Sequence, residues 1–600
     1  MKTRRIVPIL ALVLALLLLQ GCVRTELPVF SGLPHTKPEQ AEATQAVDYE
    51  TPVRYFDYGY RDYLGHKRVP MIRFGEMAYQ RPDLDAMTRS FDALIAQTAA
   101  EDDAEALLDG YFRIYDDYTE FYTMEALADL RYCLNESDDY YRAEYEYCLS
   151  AEADVEQKME ELYKAFAASQ CRAALELAYF GRGFFEYYDE HEYYTNETVL
   201  ALSRREAELL VRYRAVLEAP TVTIDGEERL YNELLQTDDW DEYDRVQRAY
   251  YRKYNPILGE IYLELVKTRR QIAETLGFSR YDEYAFSVSY ERDYSPQEAD
   301  AFLSGIRSEL VPLYAAIDPG SAAILSSAIY GEDAVRAVVK SAAKSMGGPI
   351  WEAYRFMDAY DLSDLTQAGE KTDISFVTYL YSWEAPFLTV NATGYEDDVT
   401  SFAHEFGHFV DSYYTYNADE DLETSETFSQ AMEYLALCCS DELGSPARKR
   451  LLRAKLEDTL STFVEQAAYA DFESRVYALP ADELSLDRIN GLYNAVCREY
   501  GVYAEDYDDY YSYGWIDVLH FFEMPFYVVS YCVSADTSLQ IYELETQEEG
   551  CGLDAYLWLL EREYGAGIQQ VAQDAGLENP FGSGRLAKDA EFLRAELGIK

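Results

Sequence analysis

Positive charge is scarce in this 600-residue chain: 52 Lys and Arg stand against 110 Asp and Glu, a formal net charge of −58. A surface of that sign repels phosphate backbones, which excludes nucleic acid as a partner. Long apolar runs are missing too. Beyond residue 19 no stretch is apolar enough to span a bilayer, so a polytopic membrane protein is excluded. There is no internal repeat and no low-complexity block. Hydrophobic residues at 49% and charged residues at 27% then rule out disordered and collagenous classes. The nine cysteines make no CxxC pair and no regular framework, so they point no more to disulfides than to buried free thiols. Histidine is rare, with six in all, at 35, 66, 191, 404, 408 and 520. Tyrosine is plentiful at 57, which supplies many rings with a polar tip for packing or ligand contact.

The N-terminus carries an address. Lys2, Arg4 and Arg5 precede a mostly apolar run from Ile6 to Leu19. As a helix that run would be about 21 Å long, against a bilayer core of about 30 Å, so it fits a signal peptide better than a spanning helix. It ends in Leu19-Gln20-Gly21-Cys22, which resembles a bacterial lipoprotein box. That resemblance implies that Cys22 is the first mature residue and carries lipid, so that the exported protein is held at a membrane surface. Residues 22–48, with Pro28, Gly32, Pro34 and Pro38, lack periodicity and read as a flexible tether. The organisation expected is a signal peptide over 1–21, the tether over 22–48, an N-terminal helical region over 49–200 and a catalytic region over 201–600.

The body follows the helical period. Val155, Met159, Leu162 and Phe166 make one apolar stripe, and Leu452, Leu456, Leu460 and Phe463 make another. Ser445-Pro446 suits an N-cap followed by a first-turn proline, and Ser295-Pro296-Gln297-Glu298 suits a capping box. Strand signals are few. Val222-Thr223-Ile224 before Asp225-Gly226 predicts a small hairpin, and Pro386 to Asn391 alternates as a short strand with proline at its start. The fold class expected is mainly α, a large helical body with a small β-sheet.

The chemistry is concentrated in Ser401-Phe402-Ala403-His404-Glu405-Phe406-Gly407-His408. Two histidines four apart share one helix face and can bind one zinc through two ring nitrogens. Glu405, beside the first histidine, is then placed as general base toward a metal-activated water. A catalytic zinc needs a third protein ligand, and no histidine follows at the close metzincin spacing. Glu420, Glu423, Glu426 and Glu433 are the acidic candidates. Residues 417–424 read as a polar loop, so Glu420 and Glu423 are expected to be solvated. From Ser425 the pattern turns helical, with Phe428, Met432 and Leu435 on one face. Glu426 falls in its first turn, 18 residues after His408, a spacing typical of a glutamate-completed zinc site. Glu433 reads equally as an orienting group behind a ligand or as a surface carboxylate.

At these residues the sequence resembles the thimet oligopeptidase and oligoendopeptidase F family of zinc peptidases. There an HEFGH-type helix precedes a second helix with Glu-x-x-Ser-Gln, matched by Glu426-Thr427-Phe428-Ser429-Gln430. Pro386 to Asn391 and Asp398 to Ala403 also look like the family, as do Arg269 to Ala273 with Leu276-Gly277-Phe278 and Tyr281. Downstream, His520-Phe521-Phe522 and Phe526-Tyr527-Val528 with Tyr531 resemble the block that completes the active site. The likeness runs over about residues 200–540, and the N-terminal third matches only in helical character. The loop between His408 and Glu426 is shorter than in many relatives, Ile374-Ser375-Phe376 stands where Gly-Ala-Tyr is common, and Met524-Pro525 departs from the usual block.

The resemblance implies one zinc per chain on His404, His408 and Glu426, with Glu405 as base. It also implies His520 and Tyr527 as transition-state donors, Tyr531 being the alternative to Tyr527, and a deep channel that admits short unfolded peptides. The activity expected is zinc-dependent cleavage of internal peptide bonds at the cell surface. Two alternatives are a non-catalytic peptide-binding lipoprotein and a zinc exopeptidase on a related helical scaffold.

If Cys22 bears lipid, Cys22→Ser releases soluble protein, measured by fractionating membranes from the culture and periplasm. A variant that stays with the membrane refutes the lipid anchor.

Overall fold

The helical period read from the sequence is realised along most of the chain. The structure is a computed structural model and describes residues 71–599 apart from 181–183, 186–195, 218, 236, 238, 318–329, 373, 416–420, 503–508 and 563–564. The expected signal peptide, the tether, Cys22, His35, His66, His191 and Glu420 therefore lie outside the described residues. No described helix is long and apolar enough to cross a membrane. All eight described cysteines are free thiols.

Three apolar clusters organise the described residues. The first joins α1 (Leu84–Thr98), α2 (Ala104–Leu134) and α3 (Asp139–Ala168), where Val155, Met159, Leu162 and Phe166 turn inward against Phe91, Tyr111 and Phe121. Burying each such side chain contributes about 1.5–3 kcal/mol, which is why the stripe rather than helix propensity sets the packed face. The second gathers α4 (Glu197–Leu217), α5 (Trp240–Thr275) and α6 (Pro296–Glu309), together with four later helices. These are α11 (Ser445–Ala478), α12 (Leu486–Glu499), α13 (Val529–Gln547) and α15 (Arg585–Leu597). The third surrounds a small sheet and contains α7 (Glu332–Met346), α8 (Gly348–Ala359), α9 (Asp398–Thr415), α10 (Leu422–Cys439) and α14 (Cys551–Leu559).

Helix ends follow the local chemistry, with two shifts. The capping box is present: Ser295 Oγ accepts from the Glu298 N–H at 3.2 Å and Glu298 accepts from the Ser295 N–H at 2.8 Å. At α11 the cap is Gly444 and Ser445 is already the first helical residue, so Pro446 stands second and Ser445 makes no capping bond. At α10 the helix begins at Leu422, not Ser425, because the Asp421 carboxylate accepts from the Thr424 N–H at 2.7 Å and starts the first turn early.

Both expected strands exist. β1 (Thr221–Ile224) and β2 (Glu227–Leu230) are antiparallel, joined by Asp225 and Gly226 at φ 54° and 87°, the positive values that a two-residue hairpin of this twist demands. The second sheet has the order β3-β5-β4, from β3 (Ser363–Asp364), β4 (Phe376–Leu380) and β5 (Ala385–Thr389). The strand expected over 386–391 is thus β5, the middle strand and wholly buried. Pro386 is tolerated there because β3 pairs only with Leu388 and Thr389, so at Pro386 one neighbour alone is bonded.

Helix α9 lies directly against α10, backbone to backbone. A Cβ at Gly407 would stand 2.4 Å from the Phe428 carbonyl oxygen and 2.5 Å from Ser429 Cα, distances no relaxed contact allows. Because the obstacle is main chain, nothing flexible can give way. Gly407→Ala is therefore expected to destabilise the fold by about 1–3 kcal/mol or more, seen as a lower thermal midpoint by calorimetry. An unchanged midpoint would mean that the two helices are free to part.

Candidate metal centre

Helices α9 and α10 bring three expected ligands together. His404 Nε2 and His408 Nε2 lie 3.9 and 4.0 Å from Glu426 Oε2, and the three ligand atoms all fall within 4.8 Å of one another. Ligand atoms about 2.0–2.2 Å from a tetrahedral zinc are about 3.3–3.6 Å apart. The Glu426 oxygen needs to approach each imidazole nitrogen by only about half an ångström and the whole set to contract by about 1 Å, so these two imidazoles and one carboxylate fit zinc. Each histidine has its other nitrogen engaged. His404 Nδ1 is 2.9 Å from Glu433 Oε1, and His408 Nδ1 is 3.2 Å from Ser425 Oγ. Both rings are thereby turned with Nε2 toward Glu426. On the carboxylate side Ser429 Oγ donates to Glu426 Oε2 at 3.3 Å.

Burial governs the electrostatics. Burial pulls His404 down, but the Glu433 bond and the charges of Glu433, Glu405 and Glu426 outweigh it and raise the imidazole to about 9. Burial, with the charge of His404 beside it, lowers His408 well below the ordinary histidine value. Glu405 is almost wholly buried, and burial lifts it to about 8, helped by Glu426 and Glu433 and opposed by His404. Its Oε2 is buried without a hydrogen-bond partner. An orphaned carboxylate oxygen is costly, and its place beside the two histidines is where a base facing a bound water would stand.

Glu423 corrects the sequence reading. It is not a solvated loop residue but lies in the first turn of α10, fully buried. Its Oε1 accepts from Arg292 Nε at 2.8 Å, Tyr294 OH at 2.5 Å and Ser530 Oγ at 2.8 Å. Glu433 is buried as well, and of its two sequence readings the orienting one is realised. A signal for both existed: Glu423, Glu426, Gln430 and Glu433 recur at helical spacing, a polar stripe that is buried throughout.

The structure brings His520, Tyr527 and Tyr531 into one buried cluster. Tyr531 OH is 3.5 Å from His520 Nε2, and the Tyr527 ring is stacked on the imidazole at 5.1 Å. Burial lowers His520 to about 4, so the ring is neutral near pH 7. The helix that begins just after Tyr527, α13, is bonded to α10 through Ser530 on Glu423 and through Gln430 Nε2 donating to Ser534 Oγ at 3.1 Å.

Comparison with known proteins agrees with this architecture. The profile described as Peptidase family M3 matches residues 359–583, and the Peptidase M3 N-terminal domain matches residues 74–190. The second match carries the likeness well into the N-terminal third, further than the sequence motifs reached. Among solved structures, one assigned as oligoendopeptidase F is 22% identical with a TM-score of 0.71, covering 88% of this chain and 99% of its own. PZ peptidase A with an inhibitor is 21% identical, with the same TM-score and coverage. A structure assigned as oligoendopeptidase F from Bacillus anthracis is 21% identical with a TM-score of 0.68, covering 88% and 98%. At such identities the structures establish the fold. No curated protein sequence matches this chain.

The two glutamates three residues apart on α10 can be told apart by metal content. Glu426→Gln is expected to lose most zinc by elemental analysis. Glu423→Gln is expected to keep zinc but to destabilise by about 3–5 kcal/mol, because it leaves buried Arg292 without its charge partner. Zinc loss in the second variant and not the first would reverse the assignment.

Proposed function

This chain belongs to peptidase family M3, and we propose that it is a zinc-dependent oligopeptidase that cleaves internal bonds of short unfolded peptides at a membrane surface. Peptidases of this family are zinc-dependent metallo-endopeptidases, which sets aside the non-catalytic peptide binder. The observation that carries the reading is the convergence of His404, His408 and Glu426 beside a buried Glu405 whose Oε2 is unpartnered. The anchoring part rests on the N-terminal charges, the short apolar run and Cys22.

When bound, zinc supplies a Lewis acid that acidifies a water and polarises a carbonyl. The rest belongs to the chain. Glu405 takes the proton of the attacking water at Oε2 and passes it to the leaving amine. Its burial suits this, since a base raised toward neutrality by desolvation holds a proton firmly enough to deliver it. Glu433 and Ser425 keep the two rings from turning away, so the metal site stays ordered while the substrate changes shape. Tyr527 and His520 donate to the oxyanion as it develops, from side chains already desolvated and stacked.

Glu405→Gln tests the base. The amide fills the same space but accepts no proton, so kcat on a peptide substrate should fall by about 10²–10⁴-fold or more while zinc content stays near that of the parent. Near-normal turnover would remove Glu405 from the mechanism. For the donor, Tyr527→Phe should lower kcat by about 10²-fold with KM little changed, the mark of a contact made in the transition state. If Tyr531→Phe gives that result in its place, the hydroxyl bonded to His520 is the donor; if neither does, the cluster is structural.

A further inference from the structure

The oxygen that orients His404 is shared. Glu433 Oε1 receives His404 Nδ1 at 2.9 Å and Lys455 Nζ at 2.8 Å, the lysine reaching across from α11. Lys455 is buried, its side chain only 5% exposed. A buried lysine is expensive unless its charge is met, and Glu433 is its buried partner; the other, Asp458 Oδ2 at 3.3 Å, is on an exposed side chain. The tyrosine next to Glu433, Tyr434, places its ring 5.8 Å from the same ammonium and is itself fixed by a 2.7 Å bond to Thr459.

The donor chemistry of this lysine bears on the metal site. An ammonium has donors and no acceptor, so Glu433 Oε1 can only accept from Lys455. An oxygen held as an acceptor in this way keeps the hydrogen bond from the Nδ1–H of His404, so the nitrogen that gives up its proton to a metal is Nε2, the one that faces Glu426. Without the ammonium, Glu433 would be a buried carboxylate with His404 left to compensate it. Glu433 would then lose the bond from α11 that fixes the oxygen on which the ring's orientation depends.

We propose that Lys455 is a positioning residue of the metal site, acting through Glu433 to hold His404 with Nε2 free for zinc. The proposal rests on the reading of His404, His408 and Glu426 as zinc ligands. It adds a third helix, α11, to a site whose ligands come from α9 and α10.

The test is the zinc dissociation constant of the full chain, measured by chelator competition. Lys455→Met, a straight side chain of similar length without charge, should weaken zinc binding by about 10–100-fold, the usual effect of losing a group behind a ligand. Asp458→Asn, which removes only the exposed partner, should not. The decisive variant is the double one. If Lys455 acts through Glu433, then Lys455→Met combined with Glu433→Gln binds zinc no more weakly than Glu433→Gln alone. Parent-like affinity in Lys455→Met, or losses that multiply in the double variant, overturns the proposal. Should Lys455→Met fail to fold, Lys455→Gln keeps a donor but not the charge, and the same outcomes decide. His404→Ala separates the two readings. Zinc retained in that variant defeats the ligand assignment, whereas zinc lost there but unaffected at Lys455 defeats only the positioning role.

Discussion

The main-chain contact between α9 and α10 at Gly407 is the constraint on which the metal site depends. Glycine lets the two backbones approach until a Cβ would strike the Phe428 carbonyl and Ser429 Cα. His408 follows the point of contact and Glu426 precedes it by two residues on the facing helix, so the approach sets the span between ligand atoms. Around it, Phe402, Phe406, Phe428 and Met432 pack into the core that also holds β5, which fixes the angle of the pair. A ligand set made by two helices is only as stiff as their contact, and here that contact has no side chain left to yield.

The second constraint is burial of charge. Along α10 Glu423, Glu426, Gln430 and Glu433 form a polar stripe inside the protein, and most of it is matched by named partners. Glu423 has Arg292, Tyr294 and Ser530; Gln430 has Ser534; Glu433 has His404 and Lys455. Arg292 lies 4.5 Å from both the Phe286 and Tyr290 rings, so the cation meeting Glu423 is itself packed on aromatic faces. Glu405 Oε2 is the exception on the facing helix, buried and unpaired. With Glu423 and Glu433 paired, the orphaned carboxylate oxygen beside the two histidines is one available for chemistry.

The segment that carries His520 and Tyr527 is held by its backbone. Arg269, fully buried on α5, donates to the carbonyls of Phe521 and Phe522 and pairs with Glu206. Tyr290 OH donates to the Pro525 carbonyl at 3.0 Å, and both oxygens of Glu473 accept from the Phe526 N–H. Phe526 has a φ of 67°, a left-handed conformation that an aromatic residue keeps only when its surroundings insist. The two stretches that resembled the family far apart in sequence, around Arg269 and around His520, are thus one physical unit.

Much was legible in the sequence because it was local. Helical stripes, the capping box, the Asp225-Gly226 turn and the His404-Glu405-Phe406-Gly407-His408 spacing are all written within a few residues, where period and backbone preference decide the outcome. Family likeness then singled out Glu426 among four acids, which spacing alone left open. What the sequence could not show was the partner of each polar group. Glu423 read as a solvated acid because its composition is that of a loop, and only the fold supplies Arg292, 131 positions away, to justify its burial. Nothing in the sequence around Lys455 marks it, and only the packing of α11 against α10 brings it to Glu433. Periodicity tells which face is buried when that face is apolar. When the buried face is polar, its stability lies in pairings between distant segments, and those exist only once the chain has folded.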